Sequence, residues 1–97
     1  MSTMKEHINI RITGLVQGVS FRYYAEKKAQ ELGITGFVCN KTDGSVYCEA
    51  EGEQAKLNIF KEYMRIGPTL AKISSMDVTK GKMRNFRNFS IMSTSQS

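Results

Sequence analysis

The stretch HINIRITGLVQGVSFRYYAEKKAQELG, residues 7–33, decides the fold. Its first seven residues alternate polar and apolar side chains, which predicts a half-buried strand with three isoleucines on one face: Ile8, Ile10 and Ile12. A loop with two glycines follows over 14–20. Apolar residues then recur at helical spacing and predict a helix over 21–32, with Ser20 as its N-cap and Gly33 as the glycine that follows its last turn.

The rest of the chain supplies a hairpin, a second helix and two more strands. The turn residues Asp43 and Gly44 separate two strand-like segments. A second run of apolar residues at helical spacing is ended by Gly67-Pro68. The predicted bounds are 36–41 and 46–51 for the hairpin strands, 53–66 for the helix, 71–79 as the range containing the fourth strand, 88–92 for a short fifth strand and 93–97 for a frayed tail.

The order of these elements predicts an α+β fold. Strand, helix, strand, strand, helix, strand is the βαββαβ order of the ferredoxin-like split βαβ unit, in which both helices cover one face of an antiparallel sheet. A chain of 97 residues supports one domain with one modest core. We therefore expect residues 1–97 to form a single domain, with its core over about 6–92.

The positive charge of the chain is unevenly distributed. Fourteen Lys and Arg against nine Asp and Glu give a net charge of +5. Residues 1–64 carry eight basic and eight acidic side chains, so the whole surplus of positive charge lies in 65–97. That segment contains six basic residues and one acidic residue, Asp77. This balance favours an anionic partner, whether a small phosphate, an acidic lipid or a nucleic acid, without choosing among them.

Several classes of protein are disfavoured by composition. No apolar run approaches the ~18 residues that a membrane span needs, and the amino end lacks the pattern of a secretory signal, so we expect no membrane partner. Two cysteines without such a signal favour a reducing cytoplasm. One histidine and two cysteines nine apart match no metal-ligand spacing, so we expect no metal. That histidine, His7, lies opposite the isoleucines and is expected to face solvent.

The register of the hairpin decides where the two cysteines point. A two-residue turn would place Cys39 opposite Cys48, whereas a type I turn with a left-handed glycine bulge places Cys39 opposite Tyr47. The second register keeps Asn40 on the core face with Cys48 and avoids burying Lys41. We therefore predict two free thiols on opposite faces of the sheet.

The loop between the first strand and the first helix, GLVQGVSFR over 14–22, is a candidate anion site. The first turn of a helix leaves amide N–H groups unpaired, and its dipole adds about half a positive charge. Glycines let the preceding loop curl so that successive N–H groups converge, and Arg22 can add a planar fork of donors. Loops with two glycines are common, however, and an arginine in a first turn is usually solvated, so the spacing alone favours an ordinary loop over an anion site.

The hairpin supplies a second candidate, Asn40. Near an Asp-Gly turn, Asn usually bonds its own backbone. If its side chain faces the first loop instead, its amide oxygen can accept a proton of a water molecule and orient it. Asp43, a turn residue, then stands where it would fix the loop that bears Asn40.

These two segments together resemble a known family. GLVQGVSFR over 14–22, followed by GFVCNKTDGSV over 36–46, strongly resembles the acylphosphatase family, and the resemblance runs from about residue 6 to residue 92. It implies a small ferredoxin-like enzyme that hydrolyses a carboxyl phosphate to carboxylate and inorganic phosphate, with no cofactor. The implied partner is a small acyl phosphate, and we expect a monomer. Two departures are Phe37, where the family often has tryptophan or tyrosine, and the carboxyl end, which lacks the family's closing aromatic residue.

The resemblance also implies roles for particular residues. The phosphate-binding arginine of the family falls on Arg22, and its water-orienting asparagine falls on Asn40. The phosphate cradle falls on the loop of Val16, Gln17, Gly18, Val19, Ser20 and Phe21. Tyr23 and Tyr24 are typical of a partly exposed helix, and they also stand where they would rim such a pocket.

Two other functions compete with the enzyme. One is a ferredoxin-like RNA- or DNA-binding module, motivated by the basic stretch 80–89, in which Lys and Arg alternate with Phe. Such modules stack bases on exposed aromatic residues of the sheet, and the predicted strands offer mainly Phe37 and Tyr47. We favour a basic, solvated loop over a nucleic-acid site here. The other competitor is a domain that keeps the fold but only binds phosphate as a regulator.

Overall fold

Five strands and two helices make up residues 4–94, which are the residues that the structure, a computed structural model, describes. In chain order the elements are β1 (Lys5–Leu15), α1 (Phe21–Leu32), β2 (Thr35–Asn40), β3 (Val46–Glu53), α2 (Gln54–Ile66), β4 (Lys72–Gly81) and β5 (Phe89–Ile91). The last part of the predicted tail, 95–97, lies outside the described residues. None of the helices found between residues 4 and 94 is long and apolar enough to span a bilayer.

The strands form one sheet in the order β4-β1-β3-β2-β5. The first four strands pair antiparallel, and β5 runs parallel to β2, so the sheet as a whole is mixed. Both helices pack on the face that carries the three isoleucines of β1, with α1 against β2 and β5 and α2 against β3 and β4. The predicted fold class is confirmed.

The two ends of α1 behave differently from one another. Gly33 has the left-handed conformation expected after a last turn, with φ 69°, and the N–H of Ile34 donates to the Ala29 carbonyl at 2.8 Å. Ser20 is the N-cap residue, as predicted, but it is also left-handed and its side chain makes no capping hydrogen bond. Its carbonyl still accepts the Tyr24 N–H at 3.1 Å. Main-chain geometry, and not a hydroxyl cap, therefore starts the helix.

The hairpin adopts the bulged register. Cys39 pairs with Tyr47 and Asn40 pairs with Val46, as predicted. Cys48 lies on the helix-covered face and Cys39 on the opposite face, and both thiols are free. Cys39 is nevertheless almost fully buried, because the outer face of the sheet is not open to solvent at this point.

The segment 82–88, which we call the strap, crosses the outer face of the sheet on its way from β4 to β5. The Glu51 carboxylate accepts hydrogen bonds from the backbone N–H groups of Arg84 and Phe86. The ring of His7 stacks on that of Phe86 at a centroid distance of 6.0 Å. The expected solvated loop is thus attached to the sheet along part of its length.

The strap also explains why the expectation for His7 was wrong. This side chain is only 4% exposed, since Phe86 covers it. Its Nδ1 lies 2.7 Å from a carboxylate oxygen of Glu51, and its Nε2 lies 2.8 Å from the amide oxygen of Asn9. Alternation along β1 correctly placed His7 on the outer face, but it carried no information about what covers that face.

Candidate active site

The loop that follows β1 is shaped by two glycines. At Gly14, where the pairing of β1 with β4 shifts register, φ is 127° and a Cβ would lie 2.2 Å from the Lys72 carbonyl oxygen. No larger side chain fits this close approach. Gly18 has φ 75° and Ser20 has φ 64°, so the chain turns twice through left-handed conformations before α1 begins. The main chain therefore curls immediately before the amino end of α1.

This curl borders a cavity of about 280 Å³ between the start of α1 and the end of β2. Arg22 and Asn40, the two residues to which the resemblance gives catalytic roles, both line it. Its complete lining is Val16, Gly18, Ser20, Phe21, Arg22, Tyr23 and Asn40. Most of the predicted site residues are therefore brought together in one place.

Three residues of the predicted cradle have apolar side chains that pack in or against the core. Val16 and Phe21 are 1% and 2% exposed and belong to the core, so their side chains pin the two ends of the loop. Val19 packs against the same core. Their contribution to an anion site is limited to the main chain.

Gln17, like Val19, does not line the cavity. Its side-chain nitrogen donates to the carbonyl oxygens of Lys41 and Ser45, at 2.8 and 2.9 Å. The side chain therefore contacts the turn that follows Asn40. The sequence analysis had assigned Gln17 to the phosphate cradle, and any contribution to that cradle is left to its main chain.

Arg22 contacts the residue that follows β5, Met92. One of its terminal guanidinium nitrogens lies 3.5 Å from the carbonyl oxygen of Met92. The N–H of Met92 in turn donates to the carbonyl of Val38 in β2, at 2.9 Å. Sequence reasoning missed this contact, because it depends on β5 pairing with β2 and no local pattern announces that pairing.

Asn40 is the last residue of β2, and the turn behind it is braced by Asp43. One oxygen of that carboxylate accepts the backbone N–H of Ser45 at 2.9 Å and also its hydroxyl, while the other pairs with the guanidinium of Arg11. The hydrogen bonds from Ser45, together with Arg11, hold the pKa of Asp43 well below its usual range. Asp43 is therefore an ionised carboxylate, and its contacts with Ser45 and Arg11 fix the turn that follows Asn40.

The two tyrosines at the start of α1 have different surroundings. Tyr24 donates its hydroxyl to the Tyr63 carbonyl at 2.9 Å, which ties α1 to α2. Tyr23 is 71% exposed and lines the cavity. Of the two, only Tyr23 lines the cavity.

Sequence comparison agrees with this geometry. A sequence profile of the acylphosphatase family matches residues 8–91. The chain belongs to the acylphosphatase family. A Nocardioides protein named acylphosphatase is 39% identical over 88 residues, which cover 91% of this chain and 89% of that protein. An Archaeoglobus fulgidus protein of the same name is 40% identical over 84 residues, covering 87% and 94%.

The fold agrees with the family as well. The structure of an acylphosphatase from Coxiella burnetii superposes with a TM-score of 0.88 at 33% sequence identity, covering 91% of this chain and 93% of that one. The acylphosphatase assignment therefore rests on a sequence profile, on relatives that match nearly end to end, and on three-dimensional shape.

Proposed function

We propose that this chain hydrolyses the carboxyl-phosphate bond of acyl phosphates, with the phosphate held by the loop 16–21 and Arg22 and the attacking water oriented by Asn40. The observation that carries the proposal is the shared cavity. The curled loop, Arg22 at the start of α1 and Asn40 at the end of β2 come from three different parts of the fold, and they line one cavity of about 280 Å³.

The phosphate half of the proposal follows from charge. Unpaired N–H groups at the start of α1 and the positive end of its dipole attract an anion, and Arg22 adds a full positive charge with a planar fork of donors. The first turn of α1 carries no acidic side chain that would repel a dianion. A guanidinium has five N–H donors, so the 3.5 Å contact of one terminal nitrogen with the Met92 carbonyl oxygen leaves donors for a phosphate.

The hydrolysis half follows from the leaving group. An acyl phosphate expels a carboxylate whose acid has a pKa near ~4, so no general acid is needed. Phosphoryl transfer passes through a loose transition state, in which positioning and charge neutralisation supply most of the catalysis. Asn40 would align a water molecule with the breaking bond, and the proton of that water would pass to an oxygen of the phosphate.

The cysteines take no part in this mechanism. Burial raises the pKa of Cys39, and it raises the pKa of the fully buried Cys48 well above its usual value. Both thiols are therefore protonated at neutral pH, whereas the thiolate is the nucleophilic form. Neither cysteine lines the cavity.

The nucleic-acid alternative loses support from the outer face of the sheet. Base stacking by a ferredoxin-like module needs open aromatic rings on that face. Here the ring of Phe86, in the strap, packs edge-on against Phe37 at a centroid distance of 5.8 Å. The strap thus covers part of the area around Phe37 on which bases would have to stack.

Hydrolysis of benzoyl phosphate by the purified protein tests the proposal and separates an enzyme from a phosphate-binding regulator. Arg22→Ala removes a charged hydrogen-bonding group from the phosphate, which costs about 1.5–3 kcal/mol, or roughly 10- to 150-fold in phosphate affinity. Turnover should fall at least as far, since the transition state carries more spread charge. Arg65→Ala, at an exposed arginine of α2, is the matched control and should leave both quantities unchanged.

The roles of Arg22 and Asn40 are separated by a second variant. Asn40→Ala should nearly abolish turnover while inorganic phosphate, measured by titration calorimetry, binds with close to its original affinity. Asn58→Ala, at an exposed asparagine of α2, controls for loss of an amide. If Asn40→Ala weakens phosphate binding as strongly as Arg22→Ala does, Asn40 is a phosphate ligand and the proposed division of roles is wrong.

A further inference from the structure

The side chain of Gln17 joins the two halves of the site. Its Nε2 lies 2.8 Å from the Lys41 carbonyl oxygen and 2.9 Å from that of Ser45. A primary amide nitrogen carries two hydrogens, so both are used. Because both partners are acceptors, only the nitrogen end of the amide fits at this position. Gln17 therefore bridges from the phosphate loop to both arms of the hairpin turn.

The two carbonyls that Gln17 contacts already belong to the turn behind Asn40. The Ser45 carbonyl accepts the N–H of Lys41 at 2.9 Å, and the Lys41 carbonyl accepts the N–H of Gly44 at 3.1 Å. Each carbonyl oxygen has two lone pairs, so Gln17 takes the second one of each. The amide thus holds a turn that is already closed, at a fixed distance from the loop.

That distance matters because the loop and Asn40 belong to separate elements. The loop turns at Gly18 and Ser20 through left-handed conformations, and Asn40 ends a strand on the other side of the cavity. In-line attack requires the water and the phosphorus to be aligned, and a misplacement of about 1 Å can cost about 10²-fold in rate. We infer that Gln17 is a positioning residue, which sets Asn40 against the phosphate loop and so acts on turnover rather than on phosphate binding. This inference rests on the proposed function.

Gln17→Met tests the inference, since it keeps a long unbranched side chain and removes both donors. Per folded molecule, with folding checked by circular dichroism, we expect kcat on benzoyl phosphate to fall about tenfold or more, while KM and inhibition by inorganic phosphate change by less than about threefold. Gln30→Met, at an exposed glutamine of α1, makes the same chemical change away from the cavity and should leave kcat unchanged. Gln17→Glu, which places a carboxylate against two carbonyl oxygens, should lower kcat at least as far.

A double-variant cycle shows whether Gln17 acts through Asn40. In an Asn40→Ala background, Gln17→Met should lower kcat by less than about twofold, because the group that it positions is already missing. The inference is overturned if Gln17→Met lowers kcat by the same factor in the wild-type and the Asn40→Ala backgrounds. It is also overturned if the inhibition constant of inorganic phosphate rises in step with the loss of kcat. Either outcome leaves the proposed function standing. If Asn40→Ala alone leaves kcat unchanged, the proposed role of Asn40 is overturned, and this inference with it.

Discussion

Replacement of Glu51 by alanine should strongly destabilise the fold, although Glu51 does not line the cavity that Arg22 and Asn40 share. The residue is only 3% exposed, and its carboxylate accepts three hydrogen bonds: from the His7 ring, from the Arg84 N–H and from the Phe86 N–H. Glu51→Ala leaves three donors facing a space without an acceptor. The two backbone groups belong to the strap, so the variant also removes its main attachment to the sheet.

The magnitude follows from what is left unpaired. A buried donor that loses its acceptor costs about 1–3 kcal/mol, so each of these donors can take a large fraction of the ~5–15 kcal/mol by which a domain is stable. Glu62→Ala is the matched control, because Glu62 is exposed on α2 and lies 3.6 Å from Arg65. An exposed ion pair of this kind contributes about 0–1 kcal/mol.

Urea unfolding at neutral pH measures both free energies. A loss below about 1 kcal/mol for Glu51→Ala, similar to that of the control, would refute the reasoning, since the strap would then not depend on this carboxylate.

Burial opposes ionisation of Glu51, but the Arg84 N–H, His7 and the Phe86 N–H outweigh it and hold the pKa below its usual value of 4.5. In acid, the unfolded carboxyl therefore binds its proton first. The stability that Glu51 supplies is complete above pH 4.5 and is lost as the pH falls through the folded-state pKa, and Glu51→Gln should remove this part of the acid dependence.

Two further outcomes are expected. Hydrolysis of benzoyl phosphate should persist in excess chelator, because Arg22 supplies the positive charge beside the loop; loss of turnover that a divalent ion restores would contradict this. Replacement of both Cys39 and Cys48 by alanine should leave turnover nearly unchanged and cost about 1 kcal/mol or more in stability, mostly at the fully buried Cys48. A mass two daltons below the reduced value under mild oxidant, traced to a bridge between them, would refute the hairpin register.

Local patterns were sufficient where an element is decided by its own residues. The bounds of α1 and the bulged register of the hairpin were both correct, because helical spacing and the choice of which side chains to bury act within a few residues. Ser20 is the N-cap residue, as predicted, but the tight loop before α1 holds it in a left-handed conformation and its hydroxyl makes no capping hydrogen bond.

What the sequence did not predict depends on contacts between distant segments. The parallel pairing of β5 with β2, the strap that buries His7, and the Met92 carbonyl beside Arg22 all join residues far apart in the chain. For the candidate site, loop chemistry indicated an anion, but spacing could not place Asn40 beside Arg22. Only the resemblance to a family predicted that, and neither signal indicated the side-chain contacts of Gln17.

The strap is short for the distance it covers. β4 and β5 lie at opposite edges of the sheet, four strand spacings or about 19 Å apart. The eight residue steps from Gly81 to Phe89 reach at most about 29 Å when fully extended. The strap can therefore lose about two residues before it no longer reaches from β4 to β5. Since the chain after β5 carries the carbonyl beside Arg22, a deletion on one face of the sheet would be transmitted as a displacement to the cavity at its edge.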